Sequence, residues 1–393
     1  MDMDLVIRGG RVMSPAEDLD DVLDVGISDG KIVALAPNIK VTSKAQIIDA
    51  KGCLVLPGLI DFHTHVFYGG PWGIDPDALG PRTCVTTMVD CGTAGAGNFL
   101  GFLRHVIQRT SIRIFSFIHI AFTGLDAAIY LPQDLAIVGE LEDIRRAIVR
   151  ATIEIGKRFP NIIRGVKVRA SVEAAGNNGL QAIALARQAA EALGVPLMVH
   201  VGTPPPTIGE ILAQLRSGDV LTHAFRGDPN SLLKRDGSPI EEAIEARRRG
   251  VLFDIGHGCG SFSFDTAQKL IEEHGFFPDI ISSDVHAYSI NGPAYDLLTT
   301  MSKFLAVGMP LIDIVRAATT TPASVLGLGD VLGSLTPERV ADISIVRIEK
   351  CSIALEDAYG GMLRSRELFV PVMTIKDGRV LWRTGAPCGE GAA

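Results

Sequence analysis

The sequence predicts an α/β protein: a (β/α)8 TIM barrel with a small β-sandwich domain built from both chain ends. Two observations in the 393 residues predict it. Between residues 54 and 326, eight apolar, β-branched segments alternate with segments of helical periodicity, and both chain ends carry short strands joined by tight turns. Repeated strand–helix units indicate a parallel sheet, and eight of them are typical of a closed barrel.

The small domain is predicted from the shared pattern of the two chain ends. Strand-like segments surround turn signals at Gly9-Gly10 and Asp29-Gly30 near the start and at Asp377-Gly378 near the end. The central segment lacks this pattern, so the two ends are expected to fold together. The predicted units are a β-sandwich domain of residues 1–55 and 333–385, a barrel of residues 56–332, and a C-terminal tail of residues 386–393.

Eight strands are predicted for the barrel, and they are LIDFHTH, CVTTMVDCG, RIFSFIHIAF, IIRGVKVRA, PLMVHVG, DVLTHAF, VLFDIG and DIISSDVH. A doubly wound sheet is the alternative, and it would require a phosphate-binding G-x-G-x-x-G after its first strand. The segment GTAGAG at residues 92–97 follows the second strand and does not match that motif. We interpret it as a loop.

Composition excludes several classes of function. The net charge is −8 and no dense Lys/Arg block occurs, so nucleic-acid binding is not supported. No apolar run approaches the length of a membrane span, and the N-terminus lacks the basic start and apolar core of a secretion signal. The six cysteines are scattered, which predicts free thiols in a reducing compartment. We therefore expect a cytoplasmic protein without membrane partners.

Metal-capable side chains stand at the ends of five predicted strands. His63 and His65 lie two residues apart at the end of the first strand, so their imidazoles project to the same side. The other such side chains are Lys167 on the fourth strand, His200 on the fifth, His223 on the sixth and Asp284 on the eighth. Chemistry in such barrels occurs at the carboxyl ends of the strands. The joint pattern predicts a metal site there.

Strand alternation predicts that Lys167 points into the barrel. Gly165, Lys167 and Arg169 share one face of the fourth strand, while Val166 and Val168 share the other, which suits packing against helices. A lysine whose pKa is lowered by burial exists partly as the neutral amine. That amine can add CO₂ to give a carbamate, an anion with two oxygens able to bridge two cations.

These features together resemble the amidohydrolase superfamily, within it the dihydroorotase-like and deacetylase-like members. The resemblance rests on the small β domain around the barrel, PGLIDFHTH, the fourth-strand lysine, the two later histidines and SSDVH. It implies two divalent metal ions, usually zinc, at the barrel mouth. His63, His65 and Asp284 would hold one ion and His200 and His223 the other. N-carboxylated Lys167 would bridge both.

The resemblance also implies a mechanism. The two metals would supply a bridging hydroxide to attack the carbonyl of an amide or ester, and Asp284 would take the proton and pass it to the leaving group. Arg169 is predicted either to bind a substrate carboxylate or to pair with a structural carboxylate. His257, after the seventh strand, is a candidate donor to the substrate. Tyr68 and His286 are further candidates on loops at the same rim.

The substrate class is inferred by comparison with family patterns. Family dihydroorotases usually carry an arginine where this chain has Phe67, and the tyrosine of hydantoinases has no clear counterpart, since Tyr130 lies far downstream. Deaminases of the superfamily usually lack the fourth-strand lysine. The prediction is therefore a deacetylase-like hydrolase of a small N-acyl or O-acyl carboxylate. A cyclic-amide hydrolase is the alternative.

Two further expectations concern the broader role of the chain. A non-catalytic binding protein on the same fold is less favoured, because such relatives lose metal ligands and this sequence has lost none. Many relatives are oligomers, so a homo-oligomer stays open, although the sequence shows no interface signal.

Overall fold

A computed structural model of the protein describes residues 3–41, 44–68, 70–125 and 139–385. The predicted tail, residues 386–393, and Tyr130 lie outside the described residues. The strands are β1 (Leu5–Ser14), β2 (Leu19–Ser28), β3 (Lys31–Ala36), β4 (Gln46–Asp49), β5 (Leu54–Pro57), β6 (Leu59–Thr64), β7 (Val85–Gly95), β8 (Arg113–His119), β9 (Ile163–Arg169), β10 (Leu197–His200), β11 (Val220–Thr222), β12 (Leu252–Asp254), β13 (Ile343–Glu356), β14 (Met362–Lys376) and β15 (Arg379–Arg383).

The α-helices are α1 (Pro76–Leu79), α2 (Phe99–Phe102), α3 (Val149–Arg158), α4 (Val172–Ala175), α5 (Gly179–Leu193), α6 (Ile208–Gln214), α7 (Glu241–Arg248), α8 (Phe264–Gln268), α9 (Leu297–Ala306), α10 (Leu311–Ala318) and α11 (Thr320–Val325). Short 3₁₀ turns occur at Pro15–Glu17, Gly80–Thr83 and Ile144–Arg146, and π turns at Leu103–Ile107 and Lys269–Glu273. Among the described residues, no helix is both long and apolar enough to cross a membrane.

The central part of the chain forms a TIM-barrel-like parallel sheet of seven strands, in the order β12-β11-β10-β9-β8-β7-β6. The eighth predicted strand differs from the expectation. Its segment, 280–285, makes one parallel bridge to each edge of the sheet, Asp254 to Ile280 and Thr64 to Val285. Asp284 has a φ of 47°, a left-handed conformation that interrupts an extended strand.

The faces of β9 agree with the sequence prediction. Val166 and Val168 belong to the large apolar core that also includes residues of the helices. Gly165 lies against the ring of Phe117 inside the sheet, where an added Cβ would come within 2.1 Å of Cδ1. Lys167 and Arg169 share the inner face and are both buried. Alternation along the strand therefore determines which side chains reach the interior.

The two chain ends meet in one eight-stranded sheet, ordered β15-β14-β13-β5-β1-β2-β3, with β4 paired to β1. β13 pairs antiparallel with β5, so that Ile343 is opposite Pro57 and Val346 is opposite Leu54. Hydrogen bonds join these strands continuously, whereas a sandwich implies two separate sheets. A separate apolar cluster, including Val12, forms the core of this region.

The hairpin of β13 and β14 extends from this sheet over the barrel. Phe369 donates its backbone N–H to Ser302 Oγ of α9 at 3.0 Å. Near the hairpin tip, Asp357 Oδ2 accepts the backbone N–H of Phe264 at 2.8 Å. The Tyr359 hydroxyl lies 3.5 Å from the carbonyl of Gly227. The C-terminal segment thus supports loops that follow the barrel strands.

An ion pair connects the two sheets. Arg113, at the start of β8, pairs with the buried Asp342 and also with Asp377 at 2.8 Å. Asp342 also accepts the backbone N–H of Asp377 at 2.9 Å through its side chain, while its carbonyl accepts the N–H of Gly58 at 2.7 Å. Removal of the arginine leaves a buried carboxylate without its cation.

We expect Arg113→Met to destabilise the protein by about 2 kcal/mol, less than a fully buried pair because the arginine is partly exposed. The measurement is the thermal unfolding midpoint at neutral pH. Arg248→Met, at an exposed position at the end of α7, is the matched control and should leave the midpoint unchanged. Equal midpoints for the two variants would contradict a structural role for the ion pair.

Candidate metal centre

The predicted metal-capable side chains surround one cavity of about 310 Å³. It lies where the barrel strands end, at the edge expected for chemistry in this fold. Its lining includes all six: His63, His65, Lys167, His200, His223 and Asp284. Arg169 and His286 also line it. His257 and Tyr68 are not among its lining residues.

The ligand atoms converge on Asp284. Its Oδ1 lies 3.4 Å from His63 Nε2 and 3.1 Å from His65 Nε2. Ligand atoms of His63, His223 and Asp284 all lie within 4.8 Å of one another. The rings of His200 and His223 are 4.3 Å apart between centroids. Side chains at or just beyond the ends of separate strands, and Asp284 in the segment 280–285, therefore lie close together.

Hydrogen bonds determine which imidazole nitrogen faces the cavity. The Thr222 hydroxyl donates to Asp254 Oδ2 at 2.7 Å, so its oxygen accepts the Nδ1–H of His63 at 2.8 Å. His223 Nδ1 lies 2.6 Å from the carbonyl of Gly256, which can only accept. Both histidines therefore carry the proton on Nδ1, and each Nε2 keeps a lone pair toward the cavity.

Burial keeps these imidazoles neutral. It lowers the pKa of His63, His200 and His223 well below the usual value and that of His65 to about 3. His65 Nδ1 is held by the Thr93 hydroxyl at 2.7 Å. Neutral imidazole is the form that binds a metal ion.

The arrangement of the buried acceptor atoms around Asp284 suits a cation placed between them. Asp284 Oδ1 has no hydrogen-bond partner among the described residues, although it lies close to His63 and His65. A carboxylate oxygen and imidazole lone pairs repel one another in a buried site unless a cation lies between them. Burial raises the pKa of Asp284 to about 6. A divalent ion would favour the carboxylate and satisfy all three atoms.

Lys167 is the one buried amine within this group of ligands. Its Nζ lies 3.1 Å from His63 Nε2 and 3.5 Å from Met198 Sδ. The described residues provide no carboxylate within 4.0 Å of it. Burial lowers the pKa of Lys167. The neutral amine is therefore more populated than in water, which is the form that can add CO₂.

Arg169 takes the second of its two predicted roles. Its Nη1 lies 3.2 Å from Oε1 of Glu140, a buried carboxylate. His119 Nε2 lies 3.7 Å from the same oxygen. The guanidinium carbon lies 5.8 Å from the centroid of the Trp72 ring. Arg169 is thus paired with a structural carboxylate while it lines the cavity.

The remaining rim candidates divide into one inside the cavity and two outside it. His286 packs its ring 4.9 Å from Trp72, and burial lowers its pKa to about 4. His257 instead places Nε2 2.7 Å from Nζ of Lys303 on α9, behind the cavity wall. Tyr68 is 49% exposed, and its hydroxyl lies 3.4 Å from the carbonyl of His105. The predicted contact of these two with substrate therefore has no geometric support here.

Sequence analysis did not single out several residues that shape the site. They are Trp72, Thr93, Glu140, Thr222, Arg226 and Asp254. Two of these carried a signal: Thr222 immediately precedes the metal-capable His223, and Asp254 is the last residue of β12. Burial raises the pKa of Asp254 to about 6, while the hydroxyls of Ser282 and Thr222 stabilise its charged form.

Comparison with known proteins identifies the family. Residues 54–381 match the model described as "Amidohydrolase family". The chain belongs to the amidohydrolase family. It is 38% identical over 344 residues to "Deacetylase Atu3266" of Agrobacterium fabrum, a match that covers 87% of this chain and 82% of the relative. A protein named "Deacetylase" from Enterococcus faecalis is 34% identical over 97% of this chain and 99% of its own length.

Two similar solved structures carry titles with other activities. A structure titled as an adenine deaminase has a TM-score of 0.88 and 32% identity, and the match covers 98% of this chain and 100% of that one. A structure titled as a dihydroorotase has a TM-score of 0.86 and 34% identity, with 96% and 98% covered. These comparisons support a hydrolytic enzyme of the amidohydrolase family.

We expect Gly256→Ala to lower metal binding. Gly256 has a φ of 47°, and an added Cβ would lie 2.8 Å from His223 Nδ1 and 2.9 Å from His63 Nδ1. The carbonyl and both rings would have to move, which disturbs the orientation of two ligands. The measurement is zinc content per chain after dialysis against limiting zinc, with a decrease of affinity of about 10-fold or more expected.

Gly308→Ala is the matched control for that variant. It also has a left-handed φ, 79°, but nothing lies within 4 Å of its added Cβ. It should show the same backbone strain and unchanged zinc content. Equal zinc content in both variants would mean that the contact at Gly256 does not orient the histidines.

Proposed function

We propose that this protein is a binuclear metal-dependent, deacetylase-like hydrolase. It would cleave an amide or ester bond in a small acylated carboxylate with two divalent ions, most suitably zinc. Carboxylated Lys167 would bridge them. The observation that carries the proposal is the group of neutral imidazole nitrogens and the unpartnered Asp284 oxygen at one cavity. Imidazole and carboxylate ligands suit zinc.

The comparisons support the deacetylase-like branch through the extent of the matches. The relatives named deacetylase match over 87% and 97% of the chain. A curated dihydroorotase of Solibacter usitatus matches over only 64 residues. Phe67, at the position of the arginine in family dihydroorotases, packs its ring 5.1 Å from that of Phe102. Phe67 does not line the cavity and offers no charge for dihydroorotate.

The roles of the residues follow from their surroundings. His63, His65, His200, His223, Lys167 and Asp284 would hold the metals. When bound, such ions supply an acidified water and a Lewis acid for the carbonyl. Asp284 is the carboxylate placed to hold the proton removed from that water and to return it to the leaving group.

A cyclic-amide hydrolase is the second candidate. The observation that favours it is the structure titled as a dihydroorotase, at 34% identity over nearly the whole chain. Hydrolysis of cyclic and of open-chain amides begins with the same attack on a carbonyl, so the metal ligands do not discriminate between the two substrates. Discrimination must come from the residues that contact the rest of the substrate.

A substrate panel with zinc and bicarbonate supplied tests the proposal. The panel contains N-acetyl amino acids, O-acetyl hydroxy acids, hydantoins, dihydroorotate and adenine. We expect one acetylated class to be hydrolysed with kcat/KM of about 10⁴ M⁻¹s⁻¹ or more. The other compounds should react at least about 100-fold more slowly. Preferred turnover of dihydroorotate or a hydantoin would establish the second candidate instead.

We expect Lys167→Ala to lose metal and activity. Without a bridging anion the two cations repel, so bound zinc should fall below two ions per chain and kcat/KM should fall at least about 100-fold. Elemental analysis and kinetics measure both. Added propionate, a carboxylate small enough for the vacated volume, should partly restore activity.

Lys157→Ala is the control for that variant, because Lys157 is exposed in the last turn of α3. It should keep the metal content and activity of the unmodified protein. A Lys167→Ala protein with two metals and full activity would rule out the bridging carbamate.

A further inference from the structure

Two arginines line the cavity, and they differ in how their charge is balanced. Arg169, on β9, forms an ion pair with Glu140 at 3.2 Å. Arg226 lies in the loop after β11, three residues beyond His223. No ion pair to Arg226 is found among the described residues. A buried cation normally has a carboxylate partner, so Arg226 requires an explanation.

The guanidinium of Arg226 is buried and largely unpartnered. Arg226 is 8% exposed and lines the cavity with the metal-capable residues. Its Nε and Nη1 are buried and have no hydrogen-bond partner among the described residues. Arg169 shares this feature only at Nε, and its Nη1 is occupied by Glu140. A buried guanidinium with N–H groups that no protein acceptor takes up is available to a carboxylate, the anion that arginine binds best.

The backbone holds Arg226 in place before any ligand binds. Its N–H donates to the carbonyl of His223 at 3.3 Å, and its carbonyl accepts the Thr266 hydroxyl at 3.2 Å. The preceding carbonyl, of Phe225, accepts the N–H of Ser263 at 3.0 Å. The backbone that carries the Arg226 side chain is therefore ordered without a ligand, which lowers the cost of binding an anion.

Arg226 also lies close to the metal-capable residues. Its positive charge contributes to the lowered pKa of both His200 and His223. The turn from His223 to Arg226 keeps their Cα atoms within about 7 Å. Because Arg226 and the metal-capable residues line one cavity of about 310 Å³, a small ligand that reaches both has its acyl group close to its carboxylate.

We infer that Arg226, and not Arg169, is the specificity-determining residue that binds the substrate carboxylate. This inference rests on the proposed function and narrows its substrate class to 2-acyloxy or 2-acylamino carboxylates. The cavity of about 310 Å³ suits a ligand of this size. Trp72, Leu125 and Val201 line the same cavity and provide apolar surface for the substituent at carbon 2.

The kinetic test compares a carboxylate with its neutral isostere. O-Acetyl lactate and N-acetylalanine are each paired with the corresponding primary amide. The unmodified protein should prefer the carboxylate by about 100-fold in kcat/KM. Arg226→Met should lose that preference by slowing the carboxylate about 100-fold while changing the amide less than about threefold. Arg226→Lys keeps the positive charge but not the planar guanidinium. Its preference for the carboxylate should lie between those of the unmodified protein and Arg226→Met.

Arg169→Met and Arg248→Met complete the comparison. Arg169→Met should lower kcat/KM for the carboxylate substrate and for its amide by the same factor. The reason is that this change disturbs the cavity wall but leaves the residue that recognises the substrate charge in place. The exposed Arg248→Met should change neither. The inference is overturned if Arg169→Met removes the preference, if Arg226→Met keeps it, or if Arg226→Met slows both substrates equally.

A binding measurement separates this inference from the proposed function. Calorimetry with lactate and the zinc-loaded protein requires no turnover. Lactate should bind the unmodified protein and bind Arg226→Met at least about 30-fold more weakly, with zinc content and circular dichroism unchanged. If no acyl compound is hydrolysed but this loss of binding is seen, the proposed hydrolysis fails and Arg226 remains the carboxylate site. Equal lactate binding by both proteins overturns the assignment of Arg226.

Discussion

The central constraint on this structure is that several unprotonated nitrogen and oxygen atoms face one another in a buried cavity. Imidazole nitrogens and a carboxylate oxygen face one another across 3.1–3.4 Å. Burial suppresses protonation of the histidines, so protons do not relieve the repulsion. A cation between these atoms would balance the group. The lysine beside it contributes an amine that burial shifts toward its neutral form.

A surrounding layer of hydrogen bonds holds that group in position. Asp254 accepts from Thr222 at 2.7 Å and from Ser282 at 2.6 Å. Asp61 accepts the Ser283 backbone N–H at 3.0 Å and its hydroxyl at 2.5 Å, although burial raises the pKa of Asp61 to about 7. Residues next to Asp284 are therefore tied to β6 and β12. Such outer contacts orient ligands and set which nitrogen faces the metal.

The C-terminal hairpin links the small sheet to the loops of the site. Its tip reaches Gly227, the residue that follows Arg226, and Phe264 at the start of α8. The ion pair of Arg113 with Asp342 joins the barrel to the small sheet at the start of β8. The two parts of the fold are therefore not independent. The chain ends that lie far apart in sequence help to shape the loop from which the carboxylate would be recognised.

The sequence alone determined the barrel-like architecture and the set of metal-capable side chains that line one cavity. Strand alternation is local, so the inner face of β9 and the strand-end positions of the ligands follow from spacing and hydrophobic pattern. The association of the two chain ends also followed, because both ends carry the same pattern of strands and turns, although they form one sheet and not the predicted sandwich.

Tertiary structure decided what local pattern could not. Arg169 pairs with Glu140, 29 residues away in the chain. His257 lies in an irregular loop, and its ring points toward Lys303 on α9. The segment 280–285 makes single bridges because the backbone at Asp284 turns out of the extended conformation. The unbalanced charge of Arg226 appears only when its neighbours are known, because the partners of a buried charge come from whichever distant segments the fold brings together.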